Sequence, residues 1–152
     1  TEYFIQVVKD FRRCIDYLET RRDINVEKLA YYGMSWGGWL GSVIPAVDKR
    51  LDASVLIAAG FFGNPRPEAD PINYITRVRI PTLMLNGRYD TVLPYETSAK
   101  PFFDLLGTSD EHKELKLYET DHLPPKKEYI RETLYWLDRY LGPVEQENQE
   151  IE

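Results

Sequence analysis

The sequence predicts an α/β fold of about four parallel strands with helices on both faces. Three observations carry this prediction. A helical pattern opens the chain, and strand-like runs then alternate with helical ones, the order that builds parallel crossover units. The run Val55-Leu56-Ile57-Ala58-Ala59 is apolar without interruption, as a strand covered on both faces must be. The length of 152 residues suffices for one domain with a real core and is too short for two. The domain is expected at residues 1–143, with residues 144–152 an acidic, glutamine-rich tail that frays.

Each element has its own signal. Phe4, Val7, Val8, Phe11, Ile15 and Leu18 recur at three- and four-residue spacings, which predicts an amphipathic helix over 2–22. Cys14 lies beside that stripe and is expected to be a buried structural thiol; as the single cysteine it cannot form an internal disulfide. A strand is expected at 28–34. The helix after Ser35 carries Gly37, Gly38, Gly41 and Ser42, small residues suited to close packing on a sheet, and Pro45 should kink or end it. Asp48-Lys49-Arg50 reads as a solvated turn. A second strand is expected at 53–59. The proline-rich stretch 60–80 follows, with one short helix at 73–78, then a strand at 82–85, a helix from about 94 to 106, and a fourth strand at 115–118. The last helix should span 126–141 with Ile130, Thr133, Leu134, Leu137 and Leu141 on its apolar face, stopped by Gly142-Pro143.

The segment Tyr31-Tyr32-Gly33-Met34-Ser35-Trp36-Gly37-Gly38 is where strand meets helix, and Gly33-Met34-Ser35-Trp36-Gly37 fits the G-x-S-x-G nucleophile elbow. The chemistry explains the spacing. A serine on a strained turn needs flanking residues without bulk, and the N–H of Trp36 then opens the helix as an oxyanion donor. A hydroxyl is a weak nucleophile until an imidazole takes its proton, and that imidazole needs a carboxylate to hold it. Sites in parallel sheets form at the carboxyl ends of strands, and three such loops carry Ser35, Asp90 and His122 in that order. His112 lies in a charged connection and reads as a surface histidine. Asp121 adjoins His122 and is poorly placed to orient the same ring, so Asp90 is preferred to it and to Asp70.

Together the motifs resemble the α/β-hydrolase family of the dienelactone-hydrolase, acyl-esterase and prolyl-oligopeptidase-like kind. The residues that carry the resemblance are 33–38, Pro81-Thr82-Leu83-Met84-Leu85-Asn86-Gly87-Arg88-Tyr89-Asp90 and Glu119-Thr120-Asp121-His122. The resemblance covers nearly the whole chain and implies a truncated α/β-hydrolase fold, its C-terminal half. It implies Ser35 as nucleophile, His122 as general base and acid, Asp90 as orienting carboxylate and the Trp36 N–H as one oxyanion donor. Trp36, Trp39, Phe61, Phe62 and Tyr74 are candidates to line an acyl pocket. The expected reaction is cleavage of short acyl esters; a prolyl-oligopeptidase-like peptidase and a half-domain with a relic triad are the alternatives.

Such proteins carry about four more strands before the elbow and a loop that supplies a second oxyanion N–H. Nothing in residues 1–29 resembles that loop. Three outcomes stay open: a slow enzyme, a donor borrowed from elsewhere, or lost activity. The first strand would then stand at an open edge, which invites pairing with another chain. A homodimer joined there or through the surface of the missing half is expected, and a strictly monomeric mass by light scattering at high concentration would contradict it.

Composition excludes other classes. Hydrophobic residues at 43% and charged residues at 29% are an ordinary globular balance, and a net charge of -6 argues against nucleic acid and against an anionic membrane surface. No His/Cys cluster suggests a metal and no phosphate-cradling loop a nucleotide, so no cofactor is expected. No apolar run approaches a membrane span and no signal-peptide pattern opens the chain, which leaves the cytoplasm as the expected location. The start at Thr1, inside a helical pattern and without methionine, points to a processed or excised piece.

Overall fold

The computed structural model describes residues 2–144; the expected tail, apart from Val144, lies outside the described residues. Four strands, β1 (Ala30–Met34), β2 (Ala53–Ile57), β3 (Thr82–Gly87) and β4 (Lys113–Tyr118), form one parallel sheet in the order of the chain. Every residue of β2 and β3 is buried, which is why their centres, Val55-Leu56-Ile57 and Leu83-Met84-Leu85, read as uninterrupted apolar runs. β1 and β4 are the edges, and the centre of β1, Tyr32, is exposed.

The sheet's pleat sends alternate side chains to two layers. Tyr31, Leu56, Met84 and Leu115 face α1 (Glu2–Glu19), α2 (Trp36–Leu40), α3 (Ile44–Val47) and α4 (Lys100–Leu105), where Ile15, Trp39, Ile44 and Phe102 complete the larger core. Val55, Ile57, Leu83 and Leu85 face α5 (Lys126–Leu141) on the other side, around Trp136. Among the described residues no helix is long and apolar enough to cross a membrane.

Several expectations are corrected. The helix after Ser35 is two short pieces, α2 and α3, and Pro45 sits in the first turn of the second. There its missing N–H leaves no intrahelical bond unmade. The stretch 60–80 holds three 3₁₀ turns, Pro67–Ala69, Pro71–Asn73 and Ile75–Arg77, because its prolines interrupt any longer helix. A π-helical turn, Tyr95–Ala99, precedes α4. Cys14 is exposed, since it lies on the flank of the α1 stripe and the helix turns it outward. On α5 the buried face is set by Tyr129, Thr133, Trp136, Leu137 and Tyr140, whose aromatic rings fill the space over β2 and β3. Ile130 and Leu134 consequently lie at the surface, Leu134 58% exposed.

Asp48-Lys49-Arg50 is also not a solvated turn. The Asp48 side chain is 2% exposed and binds Arg50 Nη2 at 2.6 Å and Arg12 Nε at 3.2 Å, while Arg50 reaches Asp16 and Glu19 on α1. The Arg50 guanidinium holds the Asp48 carboxyl down at about 2, against the opposing effect of burial. A folded-state value below the ordinary 3.8 contributes stability above pH 4 that is lost as pH falls towards 2. The shift corresponds to about 2 kcal/mol. Asp48→Asn is therefore expected to lower the melting temperature at neutral pH by roughly 4–8 °C. The gap from the parent chain should narrow between pH 4 and pH 2, and a gap independent of pH across that window would contradict the ion-pair account.

Candidate active site

The turn at Ser35 is built from both sides. Its N–H donates to the Ile57 carbonyl at 2.8 Å, one residue beyond the β1–β2 ladder, and its carbonyl accepts from the Trp39 N–H at 2.9 Å inside α2. Held between strand and helix, Ser35 adopts φ 54 and ψ -110, a left-handed conformation that non-glycine residues avoid. Gly33 shows why the turn tolerates no bulk before it. A Cβ there would lie 2.3 Å from the Gly37 carbonyl oxygen and 2.7 Å from the Tyr31 ring. Gly37 differs from the expectation, because a Cβ there would meet nothing nearer than the Tyr31 hydroxyl at 4.0 Å. Close packing of helix on sheet falls instead to Gly41, where a Cβ would sit 2.2 Å from Leu56 Cδ2, and to Gly38, against Ala59.

Sequence reasoning missed Tyr31. Its buried hydroxyl donates to the Gly37 carbonyl at 2.6 Å, bracing the elbow across its open side, and burial raises the phenol's pKa. A tyrosine at an inward strand position two residues before Gly33 was the available signal.

The loops after β3 and β4 bring Asp90 and His122 to the serine. His122 Nε2 lies 2.8 Å from Ser35 Oγ, and His122 Nδ1 lies 2.8 Å from Asp90 Oδ2. With Nδ1 protonated and donating to the carboxylate, Nε2 is the acceptor that faces the hydroxyl. Asp90 is fully buried at its carboxylate, and its other oxygen accepts the Val92 and Leu93 N–H groups at 2.8 Å each. The other candidates stand elsewhere. Asp121 accepts from Thr91, Asp70 accepts from the Ile72 N–H, and His112 meets Tyr140 at the surface.

Beside Ser35 lies a cavity of about 250 Å³ lined by Trp36, Trp39, Phe62, Val92 and Leu93. Of the expected pocket residues, Trp36, Trp39 and Phe62 are there. Phe61 packs its ring on Phe102 in the core, at 5.2 Å between centroids, and Tyr74 lines a separate groove against α1. Val92 and Leu93 were missed, although an apolar pair two residues after Asp90 on a strand-end loop was a usable signal. Trp36 begins α2, so its N–H is among the first-turn amides that a helix leaves without an internal partner.

Solved structures share the fold: an acetyl xylan esterase from Paenibacillus sp. R4 has a TM-score of 0.77 at 21% identity, over 91% of this chain and 54% of that one. A cold-adapted esterase from an Arctic intertidal metagenomic library has a TM-score of 0.74 at 23% identity, over 90% of this chain and 59% of that one. In sequence, Cutinase 2 of Thermobifida cellulosilytica is 30% identical over 124 residues, 80% of this chain and 44% of the cutinase. Cutinase cut1 of Thermobifida fusca is 30% identical over the same length, 36% of its own chain. The chain thus spans less than half the length of these relatives. The pattern that describes the dienelactone hydrolase family matches residues 2–123, from α1 through β4 and the loop that carries His122. By that match, the chain belongs to the dienelactone hydrolase family.

Proposed function

We propose that the chain is a serine carboxylesterase that cleaves short acyl esters through an acyl-enzyme. The observation that carries this reading is the relay of two 2.8 Å contacts from Ser35 Oγ through His122 to Asp90. In the forward step Ser35 Oγ attacks the ester carbonyl carbon while its proton passes to His122 Nε2. The carbonyl oxygen gains the negative charge and turns towards the Trp36 N–H, aided by the positive end of the local helix turn. Collapse of the tetrahedral adduct breaks the bond to the alcohol, which leaves with the proton from His122. Water then repeats the sequence on the acyl-serine, and Asp90 stabilises the imidazolium in both halves.

The pocket supports the substrate class. Its lining apart from Ser35 is entirely apolar, and its volume lies below the range that holds drug-sized ligands. A charged acyl group would lose its hydration there without a compensating cation. The two solved structures named above are esterases by name, which agrees with an ester rather than an amide substrate. A panel of chromogenic acetate, butyrate and longer acyl esters beside proline-containing peptide amides tests the reading. Turnover of the short esters, with the amides left intact, is expected; hydrolysis of the amides alone would replace the esterase with a peptidase.

A further inference from the structure

The loops that carry Asp90 and His122 are tied together on both sides of Asp90. The β3–β4 ladder ends at Gly87 opposite Tyr118, yet the pairing runs on into the loops. The Arg88 N–H donates to the Tyr118 carbonyl at 2.7 Å and the Tyr89 N–H to the Thr120 carbonyl at 3.0 Å. Before Asp90, the Glu119 carboxylate accepts from Arg88 Nε and from the Tyr89 hydroxyl at 2.6 Å each. These contacts hold the Glu119 carboxyl below its ordinary range, the Tyr89 bond contributing most.

After Asp90 the tie is Asp121. Its Oδ1 accepts from the Thr91 backbone N–H at 3.0 Å and from the Thr91 hydroxyl at 3.3 Å. Thr91 follows Asp90 and Asp121 precedes His122, so this bond joins the immediate neighbours of the two residues that must meet. The backbone of Asp121 is itself seated on Gly87, where a Cβ would lie 1.6 Å from the Asp121 carbonyl oxygen. Asp90 Oδ1 already holds the Val92 and Leu93 amides, which makes 90–93 a stiff turn. Such a turn moves as a unit, and the Thr91 amide is the point at which the His122 loop grips it.

We propose that Asp121 is a positioning residue of the active site, its carboxylate setting the Asp90–His122 separation by holding the Thr91 amide. This rests on the esterase reading for its kinetic consequence. The role is that of an acceptor oxygen, so asparagine can perform it and alanine cannot. In the alanine variant the Thr91 N–H turns to water and the 90–93 turn pivots against the His122 loop. A misplacement of about 1 Å at a reacting group can cost on the order of 10²-fold in rate, and a partial pivot costs less.

The test uses the whole chain with Asp121→Ala and Asp121→Asn. The alanine variant is expected to lose about tenfold in kcat on a short acyl ester with KM within about twofold, and the asparagine variant to keep at least about half of the parent kcat. A second readout is the far-downfield proton signal of His122 Nδ1–H, assigned by its absence in His122→Ala. It should persist in the parent and in Asp121→Asn and broaden by exchange in Asp121→Ala. An unchanged kcat and an unchanged signal in Asp121→Ala overturn the proposal. So does an asparagine variant as impaired as the alanine one, which would assign the effect to charge. A parent chain without ester turnover sinks the esterase reading alone, and the proton signal then decides the role of Asp121.

Discussion

Ser35→Ala is expected to abolish ester turnover and all labelling by a fluorophosphonate probe, with the parent chain taking up one probe per molecule. Loss of a triad serine or histidine costs about 10⁶ in kcat in the serine hydrolases where each has been removed, so His122→Ala should fall to the same floor. The double variant should fall no further, because the two residues act as one unit: without Nε2 as acceptor the hydroxyl keeps its proton, and without the hydroxyl the imidazole has nothing to activate. The substitution removes only Oγ from a turn whose backbone bonds to Ile57 and Trp39 remain, so the fold should be preserved. Intact mass after probe exposure, with circular dichroism of each variant, reads both outcomes. Labelling that survives Ser35→Ala would move the nucleophile elsewhere.

Gly33→Ala is expected to be severely damaging although it adds a single methyl group. Its Cβ would lie 2.3 Å from one backbone atom of Gly37 and 2.5 Å from another, and neither belongs to a flexible side chain that can step aside. The strand and α2 must part, taking with them the Tyr31–Gly37 bond and the Ser35 conformation. The cost should reach at least about 3 kcal/mol, the scale of severe overpacking, and the melting temperature should fall by roughly 6–12 °C with probe labelling lost. Gly37→Ala is the matched control. Its Cβ enters open space inside a helix, where alanine is favoured over glycine by about 1 kcal/mol, so stability should hold or rise. Equal damage from both changes would contradict the steric account of the elbow.

The unequal glycines show how far sequence reading reaches. The motif names both flanking positions, but which of them is crowded depends on how the helix leaves the turn. Similarly, the helical period on α5 predicted a stripe through Ile130 and Leu134, while the buried face follows Tyr129, Thr133, Trp136 and Tyr140. The two faces overlap at Thr133 and Leu137, and the choice between them was made by the bulk needed over β2 and β3. Asp48 illustrates the same limit for charge. A polar triplet between elements looks like a solvated turn until Arg50 and Arg12 enclose it from the turn and from α1.

By itself the sequence determined the order of elements, the parallel sheet and the three loops on which Ser35, Asp90 and His122 sit. These are local or topological facts: apolar runs mark buried strands, and a parallel sheet places all its strand ends on one side. Tertiary structure alone decided that Val92 and Leu93 rather than Phe61 and Tyr74 wall the pocket, that Tyr31 braces the elbow through the Gly37 carbonyl, and that Asp121 grips the Asp90 loop. Each of those depends on distances of a few ångströms between groups that the fold brings together. Spacing along a sequence carries no record of such distances, and packing sets them.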